Sequence, residues 1–454
     1  MIVGVETTKN TEERSFSMAI IPQQTLFVWS EIENLGDLER LRLVLEYMPD
    51  EELMQSLERE RKNGRDDYPV RAMWNSIIAG IVYQHPTVES LRRELSRNGQ
   101  LRFMCGFRNG KVPKAYVYTR FLNNLLREEK LVHNIFDKLV DELENLLPSF
   151  GTNLAIDGKA ISSLSKGENK NKTKDGRRDL DANWSKKEYK GVREDGTAWS
   201  KVVKWFGYRL HLIVDADYEF PIAYELTKAS VSEVKQAHKM IEELDRTHPE
   251  LIGKCKTLSG DRGYDDTKLY EKLWDDYKIK PVIDICNKWK DKDKTRQLQD
   301  YENVIYNYKG NVYCVCMETG IEREMCVGGF EKDRKRVGTL RKLCPAKQYG
   351  IECKYADRCK VKQGIRIDIE QDRRIFTPID RASYKWERTY DKRPSVERVN
   401  SRLDESYGFE KHYIRGLRKM NIRCGIALCV MLAMAVGRIK ENQADKMRSL
   451  VQSA

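Results

Sequence analysis

The sequence lacks an apolar run long enough to cross a membrane. Its longest such run covers the 13 residues 424–436, whereas a spanning helix needs about 18. The first residues, MIVGVETTKNTEERSF, carry charges where the apolar region of a secretory signal would lie, so we expect no signal peptide. These absences argue against a membrane-spanning or secreted protein. They predict a cytoplasmic protein with a buried helix near its C-terminus.

The sequence also lacks an internal repeat and the closely spaced Cys-x2-Cys pair that is typical of zinc ribbons. It does contain 11 cysteines, which in a chain without a secretory signal favour metal binding over disulfides. Three of them follow the spacing Cys-x8-Cys-x5-Cys, and Cys314 or Cys316 could supply a fourth ligand. Two interpretations stay open, reduced thiols or a structural Zn²⁺ site, and we take as its ligands Cys314, Cys344, Cys353 and Cys359.

Positive charge exceeds negative charge, with 82 Lys and Arg against 70 Asp and Glu and a net charge of +12. Such an excess favours a polyanionic partner such as nucleic acid, although many basic soluble proteins bind none. One tract could follow a phosphate backbone or could be a solvated loop. Its basic residues are Lys332, Arg334, Lys335, Arg336, Arg341, Lys342 and Lys347.

The segment from about 30 to 147 has helical periodicity. In PVRAMWNSIIAGIV the apolar residues recur at helical spacing behind Pro69, which suits a first turn. Thr87 is expected to cap a second helix, and Tyr118 and Phe121 belong to a third. Several short helices with basic outer faces are typical of a helix-turn-helix-like DNA reader. A helical cap or a dimerisation module is the open alternative.

Strand patterns begin after Pro148. TNLAIDGKAI reads as one strand, and FGYRLHLIVDADYEFPIAYELT as two strands joined by a turn at 215–219. The charged segment 165–204 is predicted to be a loop. KTLSGDRGYDD predicts a strand that precedes a helix, and this alternation indicates an α/β core. Residues 300–374 predict a β-rich, cysteine-containing insertion with a hairpin around Lys309 and Gly310.

Three carboxylates stand out because each lies in or at the end of a predicted element. Asp157 is inside an apolar strand, Asp261 ends another strand, and Glu397 lies in the first turns of a helix. An ionised carboxylate in an apolar strand is costly unless it is paired or bound to metal. Distant carboxylates at element ends are what a fold uses to hold a divalent ion. Asp265 and Asp266 are instead predicted to cap the next helix.

The residues around these carboxylates add specificity. AIDGKAI, GDRGYDD and YDKRPSVERVNSRL together resemble the DDE transposases of bacterial insertion sequences. RRDLDANWSKK and FGYRLHLIVDADYEFPIAYELTKASVSE resemble the stretch between the first two catalytic aspartates of that family. PVRAMWNSIIAGIVYQHPTVESLRRELSRNGQLRFMCGF is similar to the helical domain that precedes the core. The resemblance covers roughly residues 30–440.

One branch of the family has the signature Tyr-x2-Arg-x3-Glu-x6-Lys. Its first three positions match at Tyr390, Arg393 and Glu397, whereas Asp404 stands at the Lys position. The resemblance implies that Tyr390 and Arg393 contact the scissile phosphate or a flipped base, and the alternative is a packed ring and a salt bridge. The family's Lys touches DNA, so we expect a substitute for that contact. The candidates are Arg402 and Lys411.

By this resemblance, two Mg²⁺ ions, replaceable by Mn²⁺, would be held by Asp157, Asp261 and Glu397. The expected activity is cleavage and strand transfer at the terminal inverted repeats of an insertion sequence, with insertion into target DNA. We expect a homodimer or higher assembly in the bacterial cytoplasm and no membrane contact. The implied fold is α/β, an RNase H-like core with an N-terminal helical DNA-binding domain (1–149) and the β-rich insertion (300–374). The core would occupy residues 150–299 and 375–454.

Three other functions remain to be distinguished. A transposase-derived protein could bind DNA ends without cutting them, which a metal-dependent nicking assay would reveal. A Mg²⁺-dependent nuclease of the same fold would hydrolyse DNA without forming a strand-transfer product. A zinc-dependent transcription factor is a more remote possibility, because it leaves the carboxylate motifs unexplained.

Overall fold

A computed structural model describes residues 36–61, 67–107, 110–167, 179–193, 195–291, 293–332 and 337–449. The chain divides into two units, 1–39 and 40–454. Of the first unit the description covers only residues 36–39, a turn and the start of a helix. All contacts below belong to the second unit. The predicted basic positions 334–336 lie outside the described residues.

The N-terminal part of the second unit, up to residue 146, is helical, as predicted. Met73, Trp74 and Ile78 form the buried stripe of one helix behind Pro69. Thr87 begins the next, where its hydroxyl oxygen accepts a hydrogen bond of 3.0 Å from the Ser90 amide. The helices are α1 (Leu38–Tyr47), α2 (Glu51–Arg61), α3 (Val70–Val82), α4 (Val88–Arg97), α5 (Gly99–Cys105), α6 (Ala115–Leu125) and α7 (Glu129–Leu146).

A six-stranded sheet forms the centre of the protein. Strand β1 pairs antiparallel with β3 on one side and parallel with β5 on the other, and β6 extends the parallel side. Helices α8 and α9 connect β4 to β5, which confirms the α/β class. The elements are β1 (Asn153–Ser162), β2 (Asn183–Val192), β3 (Ala198–Asp215), β4 (Pro221–Lys228), α8 (Glu233–Thr247), α9 (Pro249–Lys254), β5 (Thr257–Gly260), α10 (Thr267–Glu271), a π-helical turn (Lys272–Asp276) and β6 (Lys280–Ile283).

The prediction of a loop over 165–204 is wrong for its second half. Strand β2 pairs with β3 from Asn183↔Gly207 to Val192↔Ala198. The prediction failed because it took a charged segment to be unable to pack. Residues 198–204 are exposed, so this two-stranded ribbon satisfies its backbone hydrogen bonds between its own strands and buries few side chains. The ribbon, residues 183–204, extends from the central sheet.

The inserted region forms two small sheets on a shared core. Trp274, Ile285 and Phe376, which flank the region, are part of the same buried cluster as Val312 and Ile367 inside it. The predicted hairpin at Lys309 and Gly310 joins β8 to β9. The elements are β7 (Thr295–Gln297), β8 (Val304–Asn307), β9 (Val312–Val315), β10 (Glu322–Glu324), β11 (Cys326–Glu331), β12 (Thr339–Leu343), α11 (Pro345–Tyr349) and β13 (Ile365–Asp368).

Lys342 does not belong to a basic surface, contrary to the prediction for its tract. It lies on β12, the central strand of its sheet. Its side chain is fully buried and pairs with Asp380, with 2.7 Å between Nζ and Oδ2. Side chains alternate between the two faces of a strand, so Arg341 faces solvent where Lys342 faces the core. A charge run in the sequence does not reveal this alternation.

Three helices complete the fold: α12 (Tyr384–Tyr390), α13 (Ser395–Tyr407) and α14 (Leu417–Lys440). Among the described residues, α14 alone is long and apolar enough to cross a membrane, and 89% of its apolar window is buried inside the protein. It packs against α7, where Glu129 accepts a bond of 2.8 Å from Asn421 and pairs with Arg418 at 3.3 Å. The predicted apolar run is therefore the core of a buried helix.

Gly207 offers a test of the register at the base of the ribbon. A methyl carbon added there would lie 2.1 Å from the carbonyl oxygen of Ile161 and 2.6 Å from the amide nitrogen of Ser163. Because both atoms are backbone, we expect Gly207→Ala to lower the free energy of unfolding by about 2–3 kcal/mol. Urea denaturation would measure the change.

Gly253→Ala is the matched control, because no heavy atom of the described residues, apart from chain neighbours and the helix's own backbone, lies within 4 Å of a carbon added to Gly253 in α9. We expect it to change the free energy of unfolding by less than about 1 kcal/mol. Equal denaturation midpoints for the two variants would show that the pairing at Gly207 is wrong.

Candidate active site

Two of the predicted carboxylates lie at the same edge of the central sheet. Strands β1 and β5 run parallel, and Ile156 is the register partner of Gly260. Asp157 and Asp261 are the next residues on the two strands. The Asp261 side chain also accepts a hydrogen bond of 2.8 Å from the Gly263 amide at the start of a short 3-10 helix. The register therefore brings together two residues that are 104 positions apart in the sequence.

The electrostatics of this edge favour a cation. Burial raises the pKa of Asp157, the charge of Lys187 opposes that rise, and the charge of Asp261 adds to it. Lys187 comes from the ribbon, and its Nζ lies 3.9 Å from Asp261 Oδ2. The ribbon therefore contributes a positive side chain to two carboxylates that repel each other.

Glu397 lies in the first turn of α13, as predicted, and its carboxylate pairs with Arg393 at 2.5 Å. Its side chain is 54% exposed. Arg393 is one of the charges that act on Asp157 and lower its pKa, so this helix turn faces the aspartates. Tyr390 stacks on Trp386 with 4.8 Å between ring centroids. Tyr390 and Arg393 thus make the packed-ring and salt-bridge contacts of the alternative interpretation.

Asp404, the departure from the signature, has a partner on β1. It forms a short ion pair with Lys159, and both side chains are largely buried. The positive charge of this pair therefore comes from the strand that carries Asp157. Arg402 donates to the carbonyl of Glu219 and lies 5.3 Å from the centroid of the Phe220 ring.

Lys411 lies beyond the end of α13 and is exposed. Arg402, the other expected substitute for the signature Lys, is held against Glu219 and Phe220. Lys411 is therefore the candidate whose side chain faces solvent. A DNA contact by either residue remains a prediction.

Glu233 is a carboxylate at this edge that the sequence analysis missed. It begins α8, and its Oε1 pairs with Arg209 of β3 at 2.8 Å. Burial raises the pKa of Glu233, and the charges of Asp261 and Asp157 add to this rise. An acidic residue in a first helical turn is common, so only the connection of α8 to the same sheet edge distinguishes Glu233.

Asp265 has a different role from the one predicted. Asp266 does cap α10, accepting a hydrogen bond of 3.1 Å from the Leu269 amide. Asp265, whose side chain is fully buried, instead accepts two bonds from Arg374, at 2.8 and 2.9 Å. Burial alone would raise the pKa of Asp265, but the Arg374 bonds hold it below its usual value. The prediction failed because Arg374 is 109 residues away in the sequence.

Neither predicted metal site has its ligands in coordinating positions within the described parts of the chain. No group of three or more His, Cys, Asp or Glu side chains there could hold an ion as arranged. The four predicted cysteines are nevertheless neighbours. Burial raises the pKa of Cys314 to about 11, and Cys344, Cys359 and Cys353 add to this rise.

Comparison with known families shows which kind of protein this chain is. Residues 149–433, more than half of the chain, match the family described as Transposase DDE domain. The chain belongs to this family. Residues 28–124 of the transposase also match the family described as Transposase domain (DUF772). The match bears out the resemblance to DDE transposases, although it does not establish the branch with the Tyr-Arg-Glu-Lys signature.

The transposase has no match among curated proteins. Among solved structures it is similar to the cryo-EM structure of a piggyBac transposase synaptic complex with hairpin DNA, at 11% sequence identity and a TM-score of 0.29. That similarity covers 92% of this chain and 86% of the other, and its TM-score is too low to support an argument. The family match is what identifies the chain as an enzyme that cleaves DNA and transfers strands.

The pair formed by Lys159 and Asp404 can be tested with a double-mutant cycle. Each of Lys159→Met and Asp404→Asn leaves a largely buried charge without its partner. We expect each to destabilise the protein, and the double variant to be more stable than the sum of the single losses by about 1–2 kcal/mol. Urea denaturation of the four proteins gives the coupling energy. Strictly additive losses would mean that the two charges do not interact in solution.

Proposed function

We propose that the transposase cleaves and joins DNA at the terminal inverted repeats of its insertion sequence through a site built on Asp157, Asp261 and Glu397. The observation that carries this proposal is the parallel register of β1 and β5, which ends with the two aspartates side by side. The strand order, with antiparallel β4, β3 and β1 followed by parallel β5 and β6, agrees with an RNase H-like core. The proposed partners are these element ends and target DNA, bound by a homodimer or higher assembly in the cytoplasm.

The site residues fit Mg²⁺, because all the donors are carboxylate oxygens and burial has raised the pKa of Asp157 beside a second carboxylate. When bound, such ions would supply the activation of water or a 3′-hydroxyl and the stabilisation of the leaving oxygen of the phosphodiester. Mn²⁺ has the same ligand preference. Asp157 and Asp261 would hold the ions from the strand ends. Glu397 would join them after parting from Arg393, one helical turn away.

The basic side chains that pair with the carboxylates, Lys187 and Arg393, would also bind DNA in this proposal. If metal were bound by the carboxylates, Lys187 and Arg393 would be released from Asp261 and Glu397 and could pair with a DNA phosphate instead. Arg393 can bind a phosphate through two parallel hydrogen bonds, whereas Lys187 acts as a point charge. Tyr390, one turn before Arg393, would contact the adjacent nucleotide. The N-terminal helices and the exposed Lys411 would hold DNA further from the scissile bond.

The test is cleavage of a duplex carrying the terminal sequence that flanks the gene, in Mg²⁺, Mn²⁺ or EDTA. We expect nicking at the element boundary only with metal, and joining of the new 3′ end to target DNA. Asp157→Asn, Asp261→Asn and Glu397→Gln keep side-chain volume and remove charge. We expect each to slow nicking by at least about 100–1,000-fold, as when one preorganised electrostatic group is lost.

Glu405→Gln is the matched control, because Glu405 is an exposed residue of the same helix as Glu397. It should cleave like the wild type. Binding of the duplex with no cleavage in any metal would identify an end-binding protein without activity. Hydrolysis without a joined product would identify a nuclease.

A structural zinc site in the insertion is a separate part of the proposal. Cys344, Cys353 and Cys359 line one cavity of about 180 Å³, and all three act on the partly buried Cys314. Four thiolates are a common zinc ligand set. Cys316 is the competing fourth ligand, because a hydrogen bond from Thr319 helps to lower its pKa to about 7.

Elemental analysis of the purified full-length protein tests this site. We expect one zinc per chain, which is lost in Cys353→Ser and in Cys314→Ser. Cys326→Ser, a change outside the cavity, is the control and should keep the metal. If Cys316→Ser loses the zinc and Cys314→Ser keeps it, Cys316 is the fourth ligand in place of Cys314. If the protein contains no zinc even when it is purified in the presence of zinc, the proposed site is wrong.

A further inference from the structure

The Glu233 carboxylate lies close to Gly158 and Gly263, two glycines that stand one and two residues after the aspartates Asp157 and Asp261. A methyl carbon added to Gly263 would be 2.8 Å from Asp261 Oδ1 and 2.8 Å from Glu233 Oε2. Because both distances are measured from the same carbon, Asp261 Oδ1 and Glu233 Oε2 are separated by at most twice 2.8 Å. A methyl carbon added to Gly158, which follows Asp157, would be 2.9 Å from Glu233 Oε1. Glycine at both positions leaves room for this carboxylate to approach the aspartates.

Arg209 holds the side chain in this position. Its Nη1 lies 2.8 Å from Glu233 Oε1, and both side chains are mostly buried. The same guanidinium donates to Ser185 Oγ of the ribbon at 3.1 Å and lies 5.3 Å from the centroid of the Trp205 ring. Arg209 pairs with Oε1, and the other oxygen, Oε2, is the one that lies with Asp261 Oδ1 beside Gly263.

A second feature points to a ligand at this place. Tyr264 is fully buried, and within the described chain its hydroxyl has no hydrogen-bond partner. After burial, the charges that act most on this hydroxyl are those of Glu233, Asp157 and Asp261. A buried hydroxyl without a partner is unfavourable, because nothing replaces the hydrogen bonds that it made to water in the unfolded chain. A water or hydrated ion held among the carboxylates would give the hydroxyl a partner.

We propose that Glu233 is a fourth carboxylate of the active site and would hold a divalent cation together with Asp261. This inference rests on the proposed function, since it assigns a further ligand to the same metal-binding edge. The competing explanation is that Glu233 only pairs with Arg209 and so fastens α8 to the sheet. The two explanations differ in what the loss of Arg209 does.

Binding of Mn²⁺ separates them without relying on catalysis. The full-length protein, bound to a duplex carrying the terminal sequence that flanks the gene, is titrated with Mn²⁺. The free ion is measured by electron paramagnetic resonance. Glu233→Gln should weaken binding by about 10–100-fold, the usual range for losing a group that supports a metal site.

Arg209→Gln is the matched variant, since it breaks the same ion pair and leaves the carboxylate charge in place. It should bind Mn²⁺ at least as tightly as the wild type, because a positive charge near the cation has been removed. Thermal unfolding without metal checks that both variants fold. If both variants weaken Mn²⁺ binding equally, Glu233 acts only through the Arg209 pair and the inference is wrong.

Asp261→Asn distinguishes failure of this inference from failure of the proposed function. Weak Mn²⁺ binding by Asp261→Asn together with wild-type binding by Glu233→Gln would overturn only the role of Glu233. Wild-type binding by Asp157→Asn and Asp261→Asn, or no binding by the wild-type complex, would overturn both proposals.

Discussion

The parallel pairing of β1 with β5 is the constraint on which the rest of the site depends. It ends one residue before Asp157 and Asp261, so the polarity of the two strands brings two like charges to one edge. Two adjacent carboxylates repel each other, and partial burial of Asp157 increases the cost. The fold tolerates this cost only with positive charge nearby, which explains why basic side chains from three different elements converge here.

Each of these cations comes from a separate part of the chain. Lys187 lies on the ribbon, Arg209 on β3, and Arg393 just before α13. Each cation is close to a different carboxylate, so no single cation balances the negative charge of the whole site.

The sequence predicted elements whose signals are local. The helices of the N-terminal part, the Thr87 cap and the hairpin at Gly310 follow from periodicity and capping within a few residues. The two aspartates were predicted because each ends or interrupts an apolar strand beside a family motif. The proximity of their strands follows from parallel pairing and is a property of the fold.

Features that depend on distant partners could not be predicted. Asp265 pairs with Arg374, Asp404 with Lys159, and buried Lys342 with Asp380. Each looks like an ordinary surface charge in the sequence, because the partner lies far away along the chain. Glu233 escaped for the same reason: nothing near it indicates that α8 starts at the sheet edge that holds the aspartates. The ribbon was missed because strands that pair with each other need no apolar face.

Helix α14 affects how the transposase folds during synthesis. The helix packs against α7, where Asn421 and Arg418 bond Glu129, and Gly425 lies close to the Tyr224 hydroxyl of β4. The N-terminal helices and the central sheet thus share a core that α14, which is translated after both of them, completes. Until that helix leaves the ribosome, α7 and β4 expose the apolar surface that it will cover. The nascent chain must therefore avoid aggregation until α14 has been made and the fold can close.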